Sequence, residues 1–379
     1  MTNREDSIIF IIFFDKLSLL AFQSLRSFEP NIKIGDNMTK TAAVIKGDGT
    51  GPELVDAMLK VAEATGTDIE FVICDAGAGW WEKNGGNSLI PNETWEILES
   101  SDVCFKGPTT TPGGIGSPKS VAVSIRRRYN LYANVRPIKT FSNSSKPLGD
   151  VEMVCVREGT EGLYVGEEIQ LTDDVSIGIR KITRTASRKI AIYAFEEAKR
   201  RGYDTVVPIH KSNILKQTCG TFLEEVEKVK QAYQGIEIWP YHIDNIAQQL
   251  IKNPQIFNKK ILLSTNLFMD IISEECSALV GSIGLIYSAN IGDSFAMFEP
   301  AHGSAPKYAG QDKVNPVATV LAGAWMLDYL GEKENSEAIF KATEHIISEG
   351  KYITYDLGGS SKLSKMTDEI AKYTAKILK

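Results

Sequence analysis

Paired cysteines and clustered histidines are missing from this chain. The five cysteines, Cys74, Cys104, Cys155, Cys219 and Cys276, are odd in number and contain no CxxC pair, which argues against a disulfide framework and against a zinc ribbon. The four histidines, His210, His242, His302 and His345, form no HxxxH or HExxH pair, so any metal would have to sit on carboxylates. A spanning helix needs roughly twenty apolar residues. The run that invites an export reading, Ile8 to Phe14, has seven, and Asp15 and Lys16 follow it at once. Charge of one sign is not in large excess either. Lys and Arg number 42 against 48 Asp and Glu, a net charge of −6, which weighs against nucleic-acid and membrane-surface binding and leaves room for a local basic pocket. With no internal repeat and no low-complexity linker, a second domain would be interleaved rather than strung on.

What is present is ordinary for a folded protein. The chain has 379 residues, 43% hydrophobic and 24% charged, enough for two or three domains or one large one with a substantial core. Residues 1–37 stand apart, holding five of the 15 Phe and neither Tyr nor Trp. Arg4, Glu5 and Asp6 sum to a negative charge and no A-x-A site follows, so a secretory signal is not expected. A start codon assigned too early, with Met38 as the natural first residue, accounts for the segment. Unpaired thiols and a carboxylate-held metal fit a cytoplasmic location.

From residue 41 the pattern alternates between strand and helix. Ala42 to Ile45 reads as a strand, Gly47 to Gly51 as a turn, and Pro52 as an early helical residue ahead of Leu54, Met58, Leu59 and Ala62. Ile69 to Cys74 reads as a second strand. This is the grammar of an α/β protein. Further strands are expected at Val103 to Phe105, Glu152 to Val156, Thr205 to Ile209 and Lys260 to Ser264, and helices over 186–201, 217–232, 315–330 and 334–347. The turn is spaced GxGxG rather than GxGxxG, which favours a tight strand-to-helix turn over a conventional dinucleotide site with Asp75 on the ribose.

Three groups of residues carry chemistry. The first is basic: Ser120 to Arg136 runs from a helix carrying Arg126, Arg127 and Arg128 into a strand ending at Arg136, and Arg157 ends another strand ahead of Tyr164. Guanidinium forks match carboxylates bidentately, so three converging ones suit a small polyacid; a basic triplet is also a common solvated helix face. The second is acidic: Asp270 and Glu274 stand four apart on one helix face. Like charges at that spacing repel, so a cation between them makes sense, and oxygen donors point to Mg²⁺ or Mn²⁺. An acidic helix start stabilised by the helix dipole is the competing reading. The third, Glu299 to Pro316, is rich in small residues, leads into a helix start able to face an anion, and carries Lys307 and Tyr308 beside it.

Taken together and in this order, Tyr132 to Pro137, Arg157 to Tyr164, His210 to Asn213, Asn266 to Glu274 and His302 to Pro316 resemble the β-decarboxylating dehydrogenases. This family contains the isocitrate, isopropylmalate and homoisocitrate dehydrogenases, and the likeness is greatest to its NADP-dependent isocitrate members. It runs from about Thr41 to the C-terminus. The resemblance implies an isocitrate/isopropylmalate dehydrogenase-like α/β fold of two interleaved domains, without a conventional Rossmann site. Residues 38–131 and 281–379 would form the large domain, and 132–280 a small domain with dimer contacts. It also implies a homodimer whose sites share residues. Tyr164 and Lys211 would be catalytic, Lys211 and Asp244 coming from the neighbour. Ser120, Arg126, Arg136 and Arg157 would bind substrate, and Asp244, Asp270 and Glu274 the metal. Thr110, Thr111, Asn213, His302, Gly303, Ser304, Ala305, Pro306, Lys307, Tyr308, Val314, Asn315 and Tyr355 would bind the cofactor.

Within the family, an acidic residue in place of Lys307 goes with NAD, so Lys307, Tyr308 and Tyr355 imply NADP. An arginine of some NADP users is Gly359 here. Ser120 implies isocitrate, while Ala122, where Asn is frequent, keeps homoisocitrate open. Met269 and Glu274 depart from the usual Gly and Asp. Some relatives are non-catalytic regulatory subunits, and the presence of Tyr164, Lys211 and the acidic set speaks for catalysis.

Overall fold

The computed structural model describes residues 39–114, 116–142 and 148–379; the expected extension over 1–37 lies outside them. The strands are β1 (Thr41–Ile45), β2 (Glu70–Cys74), β3 (Val103–Lys106), β4 (Ala133–Lys139), β5 (Glu152–Glu158), β6 (Glu168–Thr172), β7 (Val175–Gly178), β8 (Thr205–His210), β9 (Glu237–Ile238), β10 (Tyr241–His242), β11 (Ile261–Ser264), β12 (Tyr287–Ile291) and β13 (Ala296–Pro300). The helices are α1 (Gly51–Glu63), α2 (Ala78–Asn84), α3 (Asn92–Ser100), α4 (Val121–Arg128), α5 (Arg184–Arg201), α6 (Thr218–Lys230), α7 (Ile243–Lys252), α8 (Asn266–Leu279), α9 (Val317–Tyr329), α10 (Lys333–Glu349) and α11 (Leu363–Ile377).

Eleven strands form one sheet in the order β10-β8-β11-β5-β4-β12-β13-β3-β1-β2, with β9 beside β8. Its outer parts are parallel: β2, β1, β3 and β13 on one side, and β5, β11, β8 and β10 on the other. Between them β5-β4-β12-β13 is antiparallel, so the sheet is not the all-parallel platform of a conventional dinucleotide-binding fold. Period-2 alternation explains the burial of both faces. Ala42, Val44, Val103 and Phe105 enter the larger apolar cluster, whereas Ala43, Ile45 and Cys104 enter the cluster on the opposite face. Helix α9, apolar nearly all round, is buried over most of its length in the larger cluster, as expected of a helix with no solvent face.

Every expected strand and helix forms, with ends shifted by one or two residues at most positions. The antiparallel centre, β12 with β13, was not legible, and neither was the hairpin β6–β7, which forms a separate two-stranded sheet. All five cysteines are buried and unpaired. Among the described residues no helix is long and apolar enough to cross a membrane.

Candidate active site

The antiparallel centre of the sheet sets the site by register. Arg157 on β5 lies opposite Asn134 on β4, and Asn134 lies opposite Asn290 on β12, so three polar residues form one row across otherwise apolar strands. All three are buried, and each must find partners to avoid the cost of an unsatisfied polar group. They find them in the arginines. Arg126 Nε donates to Asn290 Oδ1 at 2.7 Å, Arg136 Nε to Asn134 Oδ1 at 3.1 Å, and Arg157 Nε to Asn266 Oδ1 at 2.9 Å. Each guanidinium is thus held by its back edge, and its forked end is turned elsewhere. The asparagines went unread as site residues, although Asn134 and Asn266 lie inside the motifs quoted above; an amide in a buried strand position was the available signal.

The forks of Arg136 and Arg157 meet helix α8. Arg157 donates to Asp270, and Arg136 reaches Asp270 at 3.3 Å, Glu274 at 3.5 Å and Ser273 at 2.8 Å. Tyr164 donates its hydroxyl to the other oxygen of Asp270 and lies under the Arg157 guanidinium. In the chain itself the guanidiniums of Arg136 and Arg157 stand against the two carboxylates and offset their repulsion. Burial would raise the Asp270 pKa, but Arg157, Arg136 and the Tyr164 hydroxyl outweigh it and hold the carboxyl below its ordinary value. Burial raises Glu274, which Arg136 only partly offsets. Burial and the bond to Asp270 keep the proton on Tyr164. Met269, the first departure, is fully buried in the core rather than turned to the site.

The basic triplet divides three ways. Arg126 is buried and joins Glu299, which Lys106 also meets at 2.8 Å. Burial would raise the Glu299 pKa, but Lys106 and Arg126 hold it at about 2. Arg127 donates to the carbonyls of Tyr164 and Val165 at 2.7 and 2.8 Å, fixing the turn that carries the phenol. Only Arg128, paired with Glu99 and stacked on Trp95, is the solvated residue that a basic helix face suggests. Ser120 caps α4 by accepting from Val123 N, and among the described residues its own O–H donates to no acceptor.

Two of the expected cofactor residues, Thr110 and Ser304, meet at the glycine turn. Asp48, unremarked in the sequence, accepts from Thr110 N at 2.7 Å, Ala78 N at 3.0 Å and Gly79 N at 2.8 Å. Ser304 bonds Thr110 through their hydroxyls at 2.7 Å, and its carbonyl accepts from Thr50 N. A Cβ on Gly47 would stand 2.1 Å from Pro108 O, and one on Gly49 2.2 Å from Ser304 O. The turn is therefore glycine because three segments touch there, as the tight-turn reading holds. Thr111, Gly303 and Pro306 are exposed beside it, and Ala305 adopts a left-handed conformation at φ 36°. His302 Nε2 is buried without a partner among the described residues, and burial lowers the ring's pKa, leaving it neutral. An orphaned polar atom at this place fits an incoming ligand group. Asn315 accepts from Val317 N and donates to Asp356, and Val314 packs on α1. Lys307, Tyr308 and Tyr355 lie close together, the two rings 6.3 Å apart.

Lys211 and Asp244 pair with each other at 2.6 Å. Among the described residues, no hydrogen bond or ion pair ties them or the exposed Asn213 to the arginine cluster or to the glycine turn. No three His, Cys, Asp or Glu side chains gather as a metal site among the described residues. Asp270 and Glu274 offer oxygen donors suited to a hard cation, which would need further oxygens from elsewhere.

A family model for isocitrate/isopropylmalate dehydrogenase matches residues 41–370. The 3-isopropylmalate dehydrogenase of Methanothermobacter thermautotrophicus is 40% identical over 87% of this chain and 97% of its own length. The homoisocitrate dehydrogenase of Methanocaldococcus jannaschii is 40% identical over 89% and 98%. The crystal structure of isocitrate dehydrogenase from Methylococcus capsulatus superposes with a TM-score of 0.84 at 39% identity, covering 89% of this chain and all of that one. Fold, motif residues and these likenesses agree, and the chain belongs to the isocitrate/isopropylmalate dehydrogenase family of β-decarboxylating oxidoreductases, which act on small polycarboxylates with NAD(P) and a divalent metal ion.

Proposed function

We propose that this chain is an NADP-dependent isocitrate dehydrogenase that oxidatively decarboxylates isocitrate to 2-oxoglutarate and CO₂. The observation that carries the reading is the convergence of Arg136, Arg157 and Tyr164 on Asp270. In the resting chain Asp270 and Glu274 occupy guanidinium forks that an incoming tricarboxylate would claim, with Arg126 beside them. Asp270 and Glu274, with Asp244 of the partner subunit, would hold Mg²⁺ or Mn²⁺. When bound, the nicotinamide supplies a hydride acceptor and the divalent ion supplies Lewis acidity at the C2 oxygen. Lys211 of the partner subunit takes the hydroxyl proton as hydride leaves C2. The β-keto acid then loses CO₂ from C3, and Tyr164, kept protonated by burial and by Asp270, gives C3 its proton. The arginines hold the carboxylates in line throughout, which is positioning rather than proton transfer.

A homodimer, with 38–131 and 281–379 as the large domain and 132–280 as the small one, is part of the proposal. The hairpin β6–β7 supports it. Ile169 lies opposite Ile177, and with Leu171 and Val175 all four are 42–56% exposed. An isolated two-stranded hairpin with such a face is marginal in water, so a second copy is the natural cover. Lys307, Tyr308 and Tyr355 support NADP, and the Ser120 O–H, which donates to no acceptor among the described residues, supports isocitrate. Ala122 favours homoisocitrate as the second reading. Initial rates with isocitrate, homoisocitrate and isopropylmalate, each with NAD and NADP, test the assignment. The highest kcat/KM is expected for isocitrate with NADP, and a best rate on isopropylmalate would overturn it.

A further inference from the structure

The proposed NADP site lacks the arginine that some NADP users carry at the place of Gly359, and the structure gives the reason. A Cβ on Gly359 would stand 2.1 Å from the carbonyl oxygen of Ile353 and 2.6 Å from its side chain. That carbonyl is itself fixed by accepting from Ser361 N. No side chain fits at 359 without moving backbone, so a second cation for the ribose 2′-phosphate, beside Lys307, has to come from elsewhere.

Another lysine stands at the same place. The Lys313 ammonium lies 4.8 Å from the centre of the Tyr355 ring and 5.4 Å from that of Tyr308, while Lys307 lies 4.8 Å from the Tyr308 ring on its own account. Two cations and two phenols thus share one exposed patch. Among the described residues neither lysine has an ion-pair partner. The carboxylate nearest in sequence to Tyr355, Asp356, is turned inward and occupied by Ser282, Thr354 and Asn315. Lys313 is also aimed. Asp312 adopts a left-handed φ of 52°, accepts from Ser364 N and Ser364 Oγ at 2.7 Å each, donates its N–H to Glu53, and accepts from Leu363 N with its carbonyl. These bonds pin the loop to the start of α11 and direct the next residue toward the two rings.

We propose that Lys313 is a specificity-determining residue that supplies the second cation of the 2′-phosphate subsite, in place of the side chain excluded at Gly359. The inference rests on the NADP reading above. Two ammonium groups flanking one phosphate, with two phenol hydroxyls as further donors, give a charge-assisted cradle that a 2′-hydroxyl cannot exploit. Calorimetry on the full chain with adenosine 2′,5′-bisphosphate and adenosine 5′-monophosphate tests it in the wild type, K313Q and K313R. K313Q is expected to weaken the bisphosphate about five- to tenfold and leave the monophosphate within about twofold, and K313R to stay close to wild type. If the wild type prefers the bisphosphate and K313Q keeps that preference unchanged, the role of Lys313 is overturned and the NADP reading stands. Equal weakening of both nucleotides would also overturn it, because Lys313 would then serve the adenosine seat. A wild type indifferent to the 2′-phosphate would sink the NADP reading and Lys313 with it.

Discussion

At the scale of single residues, the site is a set of charges held in place by amides. An arginine aimed at a substrate is useful only if its plane is fixed, and Asn290, Asn134 and Asn266 fix the planes of Arg126, Arg136 and Arg157 through their Nε hydrogens. Removing one amide leaves a buried donor unpaired, at a cost of about 1–3 kcal/mol, and frees the guanidinium to swing. Asn134→Ala, which leaves Nε of Arg136 without its acceptor, is therefore expected to raise KM for the polycarboxylate substrate more than it lowers kcat, with a modest fall in melting temperature. An unchanged KM would show that the fork needs no such anchor. Tyr164 gives a sharper case. Its phenol pKa lies above the ordinary value, so the proposed proton donor is fully present across neutral pH and is lost only on the alkaline side. Asp270 lies below its ordinary value, so its carboxylate is lost only on the acid side. Tyr164→Phe is expected to cut turnover by about 10²- to 10⁴-fold without unfolding the chain. A fall of less than about tenfold would remove Tyr164 from proton transfer.

At the scale of elements, local pattern was readable where one segment decides its own fate. The strands at 41–45, 103–106 and 205–210 and the helices at 184–201 and 333–349 follow from periodicity and turn residues alone. The antiparallel centre was not readable, because β12 and β13 become strands through pairing with β4 and β3, which are distant in sequence. The same holds within the site. The arginines and acids are legible by charge, whereas Asp48 is one carboxylate inside a glycine turn and Lys313 one lysine in a loop, and only the fold brings them to their partners. The hairpin β6–β7 is not legible in the sequence because its apolar face stays exposed and finds no cover among the described residues. If that face is a subunit contact, Ile169→Glu with Ile177→Glu should yield a monomer by sedimentation and remove activity with it, since Lys211 and Asp244 would no longer reach a neighbouring site. A dimer that survives both changes would place the contact elsewhere.

At the scale of the whole molecule, one sheet carries both halves of the proposed chemistry. Its antiparallel centre holds the polar row for the arginines, and the turn after β1 and the loop after β13 meet to form the proposed cofactor floor. Glu299 on β13 links the two, bonding Arg126 on one side and Lys106 on the other only three residues before His302. The central claim is that this arrangement turns over an acid rather than merely binding it. The most direct measurement is simultaneous detection of CO₂ and NADPH from isocitrate by the purified chain, with Mg²⁺ and then with a chelator. The account predicts equal amounts of the two products with Mg²⁺ and neither with the chelator. Isocitrate bound by calorimetry with no NADPH formed in Mg²⁺ or Mn²⁺ would contradict it and mark the chain as a regulatory subunit.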